Sequence, residues 1–229
     1  MNSLIHLSDL SKSFENLKKI KVLKKISYNF KKGKIYSIMG PSGSGKSTLL
    51  NLLSLIDKPN SGSIYFDNKS IDFSQNDKND ILRAHKIGII YQQDNLLSDF
   101  TALENIYLAS LATGNNKQIS ISKSKILLKK VGLLNRADHY PSQLSGGEKQ
   151  RISIARAVIN DPQIILADEP TGSLDQETAK EIFKLLENQI NPNRLIIFAT
   201  HNRFLANKSD CILEMSDGNI KSANVRVNQ

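Results

Sequence analysis

A glycine-rich loop lies between an apolar segment and a leucine-rich segment near the start of the chain. The loop reads Gly40-Pro41-Ser42-Gly43-Ser44-Gly45-Lys46-Ser47; residues 35–39 predict a strand before it, and residues 49–56 predict a buried helix after it that ends before Pro59. Glycines at these spacings let the main chain wrap phosphate groups, and a following helix directs its positive end at them. This order of strand, loop and helix predicts a nucleotide-binding α/β domain.

Individual residues of this loop have expected parts in binding a nucleotide. Lys46 is placed to neutralise the β- and γ-phosphates, Ser47 to bind Mg²⁺ through its hydroxyl, and Thr48 to contact the α-phosphate. A chance glycine-rich loop is the alternative, and the flanking strand and helix argue against it. The predicted nucleotide-binding residues are Gly40, Pro41, Ser42, Gly43, Ser44, Gly45, Lys46, Ser47 and Thr48.

Two adjacent carboxylates end a second predicted strand, at residues 164–167, and Pro170-Thr171-Gly172 follows them. Ligands of parallel α/β sheets bind at the carboxyl ends of strands. Asp168 can hold Mg²⁺ through water, and Glu169 can orient or deprotonate the attacking water. Adjacent acids in a loop are often merely solvated, but the apolar run before these two favours a catalytic pair.

A third motif reads Leu144-Ser145-Gly146-Gly147-Glu148-Lys149-Gln150-Arg151. Ser145, Gly146 and Gly147 open a predicted helix, so they offer backbone N–H groups and a helix N-terminus to an anion. The alternative is that the glycines only cap the helix.

Seven segments together resemble the ATP-binding cassette (ABC) ATPase family. They match, in order, its adenine-stacking aromatic, Walker A, Q-loop, signature, Walker B, D-loop and H-loop: Phe14, residues 40–47, Gln92, residues 144–150, Asp168-Glu169, Ser173-Leu174-Asp175 and His201. The resemblance implies one domain over residues 1–229, with an α/β P-loop core, an antiparallel β subdomain and an inserted α-helical subdomain, at about 93–158, that carries the signature. It also implies an ATPase that works as a head-to-tail homodimer, in which each signature receives the γ-phosphate of the ATP bound to the other copy.

The resemblance assigns roles to four further residues. Phe14 would stack on adenine, with an ordinary core position as the alternative. Gln92 would reach Mg²⁺ or the attacking water, and His201 would hydrogen-bond the γ-phosphate. Asp175 would organise the dimer interface; it can also be the N-cap of the following helix. The expected catalytic residues are Glu169, His201, Gln92 and Lys46, and the expected Mg²⁺ ligands are Ser47, Gln92 and Asp168.

The formal net charge of +9 does not by itself indicate a nucleic-acid-binding protein. The lysines are scattered among Asn and Ile, which favours a solvated surface, with weak attraction to a membrane surface as the second interpretation. No apolar run approaches the roughly eighteen residues of a membrane span, and the first residues predict no secretory signal. The single Cys211 excludes an internal disulfide, indicates a reducing compartment and is predicted to be buried.

Local patterns predict the remaining elements. Thr101 and Glu104 predict a helix capping box, whereas the polar residues 114–122 predict an exposed turn. Alternation at positions 22 to 30 predicts one face of a strand, with Val22, Lys24, Ile26, Tyr28 and Phe30 together. Further strands of a parallel core are predicted at 195–199 and 211–215, a helix with apolar residues from Ala179 to Ile190, and a hairpin turn at 216–219.

Two longer segments are similar to one exporter group within the ABC family. Residues 92–105 and 167–172 resemble the lipoprotein-releasing, macrolide-efflux and cell-division ATPases, and residues 99–105 with 199–202 are most similar to the lipoprotein-releasing members. Ser98 and Ser173 depart from the group, which usually has Pro and often Asn at these positions.

This resemblance implies an ATPase homodimer bound to two integral membrane permease subunits at the cytoplasmic face of a bacterial inner membrane. The complex would extract lipoproteins for delivery to the outer membrane. A macrolide or peptide efflux system, or a cell-division system, is the alternative. A nucleic-acid-processing ABC protein is a third; its members carry long coiled coils or two cassettes, so no nucleic-acid partner is expected.

Overall fold

The computed structural model describes residues 3–15 and 19–225. The chain forms two compact units: the first contains the residues up to Asp80 and those from Ile190 onward, and the second runs from Ile81 to Gln189. Helix α2, Asn76–Lys86, crosses the boundary in the sequence. None of the helices within the described ranges has the length and apolar character needed to cross a membrane.

An antiparallel sheet forms one part of the first unit, with strand order β2-β1-β4-β5. The alternation predicted for β2 is wrong in its first half. Lys25 has a left-handed backbone (φ 52°), and the pairing with β1 is irregular there. Leu23 is therefore buried and Lys24 exposed. The strands are β1 Ser3–Glu15, β2 Lys19–Lys31, β4 Ser61–Phe66 and β5 Lys69–Ser70.

A second group of strands in the first unit has the order β10-β9-β3-β8. Strand β3 pairs in parallel with β8 and β9, and β9 pairs with β10 in an antiparallel hairpin. Both the parallel core and the predicted turn are confirmed; Asp217 (φ 49°) and Gly218 (φ 72°) form the turn. The strands are β3 Ile35–Met39, β8 Leu195–Ala199, β9 Cys211–Ser216 and β10 Asn219–Val225.

Two helices complete the first unit: α1 Lys46–Leu53 and α7 Arg203–Ala206. Helix α1 ends at Leu53, earlier than predicted, and Ile56 is 51% exposed rather than part of its buried face. Cys211 is buried, as predicted. Its Sγ lies 3.4 Å from the hydroxyl of Tyr28, and burial raises the pKa of that tyrosine.

The second unit contains two parallel strands and four complete α-helices among its described residues. Strand β6 pairs with β7 in parallel. Helices α3, α4 and α5 share an apolar core that includes Ile106, Leu128 and Ile152, each fully buried. The elements are β6 Ile87–Ile90, β7 Ile164–Asp168, α3 Ala102–Leu111, α4 Lys117–Lys130, α5 Gly146–Val158 and α6 Gln176–Glu187.

Two predictions about these helices are corrected and one is confirmed. The capping box of Thr101 and Glu104 opens α3 as predicted. Residues 114–122 are not an exposed turn, because α4 begins at Lys117, and Ser120 is buried and donates to the carbonyl of Asn116 at 2.9 Å. Helix α6 ends at Glu187, so Ile190 lies beyond it.

Candidate active site

The loop after β3 needs glycine for two different physical reasons. A Cβ on Gly40 would lie 2.1 Å from the carbonyl oxygen of Met215, and one on Gly45 would lie 2.7 Å from Leu23 Cδ2. A Cβ on Gly43 would meet nothing within 4 Å, but its φ of 78° is in the left-handed region. Packing therefore requires glycine at position 40, and backbone conformation requires it at position 43 and, with a φ of 102°, at position 45.

Lys46 closes this loop. Its Nζ donates to the carbonyl oxygens of Gly40 at 2.8 Å and Pro41 at 3.1 Å, and the residue is only 7% exposed. Ser44 is also buried, and its Oγ has no hydrogen-bond partner among the residues that the structure describes. Ser42 and Ser47 are exposed, and Thr48 is half-buried. The loop thus holds a cation and a buried hydroxyl among exposed polar groups.

His201 lies beside the start of this loop because β3 and β8 are parallel neighbours. The N–H of Thr200 donates to the carbonyl oxygen of Ile38 at 3.1 Å, which fixes the end of β8 to the end of β3. The Asn202 side chain caps α7 just after it. His201 is exposed, and with Gly40 and Pro41 it lines a cavity of about 430 Å³. The structure therefore brings the predicted histidine and the glycine loop together.

Phe14 is exposed near the end of β1, so the core alternative for this residue is wrong. Its ring is 45% exposed, and the Nζ of Lys12 lies 5.0 Å from the ring centroid. Lys12 is itself fixed, because it donates to Asp57 at 2.6 Å. An exposed aromatic face next to an anchored cation suits a flat, electron-rich ring.

The two predicted acids lie at the end of β7 in the second unit: Asp168 is the last residue of the strand, and Glu169 follows it. Asp168 Oδ1 is buried and accepts no hydrogen bond from the described residues. Glu169 has a φ of 46°, a left-handed conformation that costs a residue other than glycine about 1–2 kcal/mol. The N–H of Gly172 donates to the Glu169 carbonyl at 3.0 Å and holds the turn. The exposed Gln92 reaches the same turn: its Nε2 lies 3.4 Å from where a Cβ on Gly172 would be.

Ser145 is the N-cap residue of α5, so this motif does cap the helix, as the alternative interpretation expects. The N–H of Ser145 donates to Glu148 Oε2 at 2.8 Å, and the N–H of Glu148 donates to Ser145 Oγ at 3.2 Å. The backbone hydrogen bond from Ser145 and the nearby Arg136 guanidinium hold the pKa of Glu148 below its usual value. Gly146 remains exposed, so capping leaves the start of the helix accessible.

Asp175 caps α6, and the structure brings it to the start of α5. It accepts from the N–H groups of Glu177 and Thr178, each at 3.0 Å. Hydrogen bonds from Thr178 and from these N–H groups lower the pKa of the Asp175 carboxyl. A cavity of about 560 Å³ is lined by residues that include Ser145, Gly146, Gly147, Ser173, Leu174 and Asp175.

Two side chains of α5 for which no role was predicted hold the chain on either side of Gln92. From α5, Gln150 Nε2 donates to the carbonyl oxygen of Tyr91 at 3.2 Å. Arg156 donates to the carbonyls of Asp94 at 2.8 Å and Asn95 at 2.7 Å. The helix opened by Ser145 therefore also anchors the chain around Gln92. The partners lie 59 to 62 positions away in the sequence, so no local pattern could have predicted these contacts.

Comparisons with known proteins agree with this geometry. The sequence pattern of the ABC transporter family matches residues 23–172. The chain is 45% identical over 221 residues to the lipoprotein-releasing system ATP-binding protein LolD of Buchnera aphidicola subsp. Schizaphis graminum, covering 96% of each. It is 40% identical to the macrolide export ATP-binding/permease protein MacB of Bartonella quintana, covering 90% of this chain but 31% of that protein. A solved dimeric post-hydrolysis state of an ATP-binding cassette with ADP and Pi superposes with a TM-score of 0.89 at 35% identity, covering 98% of this chain and 100% of that one.

Proposed function

The chain belongs to the ABC transporter family, as its motifs predicted, and on that premise we propose that it is the ATP-hydrolysing subunit of a lipoprotein-releasing system. The observation that carries this is the similarity to LolD over 96% of both chains. The MacB relative also matches, but this chain spans 31% of its length. Macrolide export is therefore the second candidate.

The nucleotide would bind to the loop from Gly40 to Thr48, with adenine against Phe14. Backbone N–H groups of the loop would wrap the phosphates, and Lys46 would exchange its two carbonyl acceptors for phosphate oxygens. The buried Ser44 Oγ, which lacks a hydrogen-bond partner within residues 3–15 and 19–225, fits a polar ligand in this loop. The result would be a site in which main-chain groups and one cation hold the triphosphate.

Mg²⁺ fits the residues expected to hold it. Asp168 contributes a buried carboxylate oxygen that accepts nothing from the described residues, and Ser47 and Gln92 contribute oxygen donors of the kind Mg²⁺ prefers. When bound, the ion would neutralise charge on the phosphate oxygens.

Hydrolysis would depend on three side chains. Glu169 would accept a proton from the attacking water, His201 would donate a hydrogen bond to the γ-phosphate, and Gln92 would orient the water. The left-handed backbone of Glu169 (φ 46°) supports this role, because strained residues of this kind persist where function requires them.

The working unit would be a head-to-tail homodimer. One chain carries a full phosphate loop, so the second anion site, at Ser145, Gly146 and Gly147, is explained if it receives the γ-phosphate held by the other copy. The exposed Gly146 supports this, as does the dimeric state of the similar solved cassette. Asp175 would lie in that interface, and a helical subdomain of a single ABC domain, at about 93–158, would carry the signature.

The dimer would bind two integral membrane permease subunits at the cytoplasmic face of a bacterial inner membrane. ATP-driven closure would be a rigid-body switch, and the segment from Gln92 to Asn105 would pass it to the permeases. Each methylene of an acyl anchor resists extraction from a bilayer by about 0.8 kcal/mol. Extraction of a whole anchor therefore requires a source of free energy, which ATP hydrolysis would supply.

Purification from native membranes tests this function. The chain should co-purify with two integral membrane subunits, and the complex in vesicles should release a lipid-anchored protein only when ATP is hydrolysed. Efflux of a macrolide without lipoprotein release would favour the second candidate. ATPase activity stimulated by duplex DNA, with a steep salt dependence, would contradict both.

A further inference from the structure

Thr178 lies between two parts of the second unit that the proposed function uses together. Its Oγ1 donates to Asp175 Oδ2 at 2.6 Å. Its Cγ2 methyl lies 2.7 Å from where a Cβ on Gly147 would be. One short side chain therefore contacts both the N-cap carboxylate of α6 and the second glycine of α5.

The shape of threonine makes these two contacts depend on each other. Both groups branch from one Cβ, so the rotamer that places the hydroxyl on Asp175 also fixes the direction of the methyl. The Asp175 carboxylate is held in turn by the N–H groups of Glu177 and Thr178. Movement of Asp175 would therefore move the methyl that packs against Gly147.

A second contact shows how the same two helices are otherwise joined. Arg151, one turn along α5 from Gly147, forms an ion pair with Glu181 of α6 at 2.6 Å. That pair lies at the surface, where the Glu181 side chain is 57% exposed, and exposed ion pairs contribute little stability. Removal of this ion pair serves as a control, because it loosens the contact between α5 and α6 and leaves Asp175 unchanged.

We infer that Thr178 is a positioning residue for the signature: through its methyl and hydroxyl it sets the place of Gly147 relative to Asp175. This inference rests on the proposed dimeric ATPase. Thr178 would then affect the signature, which acts on the nucleotide bound by the other copy. It would not affect the nucleotide held by the phosphate loop of its own chain.

Matched substitutions separate the two contacts. Thr178→Val keeps the methyl packing and loses the hydrogen bond; Thr178→Ser does the reverse. We expect Thr178→Val to lower kcat for ATP hydrolysis by about two- to tenfold, the range for one lost hydrogen bond, with ATP affinity unchanged. Glu181→Ala should lower kcat far less. Equal losses of kcat in Thr178→Val and Glu181→Ala, or a normal kcat for Thr178→Val, would overturn the inference.

Gly147→Ala gives a second measurement if Thr178→Val does not fold. The new methyl would collide with Thr178 Cγ2, so Gly147→Ala should lose activity, and adding Thr178→Ser should recover part of it. Absence of any recovery would overturn the contact on which the inference depends.

Mixing variants whose defects lie in different halves of the site shows which half Thr178 serves. Thr178→Val should regain activity when mixed with Lys46→Ala, which has an intact signature, but not when mixed with Ser145→Asp. Ser145→Asp keeps an N-cap acceptor while repelling phosphate. If Thr178→Val and Ser145→Asp restore each other while Lys46→Ala and Ser145→Asp also do, the inference fails and the dimeric ATPase stands. If Lys46→Ala and Ser145→Asp do not restore each other, the proposed function itself fails.

Discussion

Lys46 donates from Nζ to the carbonyl oxygen of Gly40 at 2.8 Å, so the ammonium group closes the loop to which it belongs. The lysine is thereby held next to the backbone N–H groups that are expected to wrap the phosphates. An ammonium group that is already anchored loses less conformational freedom when it binds a phosphate, which lowers the entropy cost of binding.

Lys46→Ala should weaken ATP binding by about 10- to 100-fold, because a hydrogen bond to a charged group contributes about 1.5–3 kcal/mol. Isothermal titration with ATP measures this loss. Lys32→Ala removes the same charge from a surface pair with Asp67 at 2.9 Å and should bind ATP normally. An unchanged titration curve for Lys46→Ala would contradict the proposal that this loop binds ATP.

Glu169→Gln should keep ATP binding but lower the hydrolysis rate roughly 100-fold or more, the usual contribution of a general base. Because ATP would persist, the nucleotide-bound dimer should accumulate, as measured by size-exclusion chromatography with ATP. Glu187→Gln, at the C-terminal end of α6, is the control. Normal turnover in Glu169→Gln would show that another group accepts the proton.

Gly62→Ala tests the packing of the antiparallel sheet away from the site. Gly62 has a φ of 85°, and an added Cβ would lie 2.4 Å from the carbonyl oxygen of Asp9. Gly114 has a similar φ of 81° with nothing within 4 Å. Gly114→Ala should cost about 1–2 kcal/mol from conformation alone, and Gly62→Ala about 2 kcal/mol more from the clash. Urea denaturation measures the difference between the two variants in the free energy of unfolding. Equal losses would show that the structure relaxes around the added Cβ of Gly62→Ala without cost.

The depressed pKa of Glu148 predicts a pH-dependent contribution to stability. A carboxyl with a lowered folded pKa stabilises the fold above its ordinary pKa of 4.5 and loses that contribution as the pH falls through the folded value. Glu148→Gln keeps the cap geometry without the charge. It should be less stable than the natural chain at pH 7, by about 0.3–1 kcal/mol, and equally stable in strong acid. A difference in stability between Glu148→Gln and the natural chain that stayed constant from pH 7 to strong acid would show that the charge of Glu148 does not cause it.

Features set by neighbours in sequence could be predicted. The capping box of Thr101 and Glu104 needs only a three-residue spacing, and the turn at Asp217 and Gly218 needs only residues that accept positive φ. The order of the site motifs likewise gave the family. The fold class and the family of such a chain are therefore largely predictable from short segments, and the roles of the individual site residues remain predictions.

Features set by contacts between distant segments could not be predicted. The bulge at Lys25 arises from pairing of β2 with β1. The start of α4 resembles a polar turn in sequence, because Ser120 is buried only by packing against α3, where its Oγ lies 2.9 Å from the Oγ of Ser110. The link from Arg156 to Asp94 spans 62 positions in the sequence. Burial of polar side chains depends on partners that a local pattern does not contain.

In the proposed dimer, each copy of the chain completes the catalytic site of the other. Equal amounts of Lys46→Ala and Ser145→Asp, each inactive alone, should form mixed dimers with one intact composite site. Random pairing predicts recovery of about a quarter of the natural ATPase activity. No recovery in the mixture, or full activity from the natural chain diluted to a monomer, would contradict the shared site.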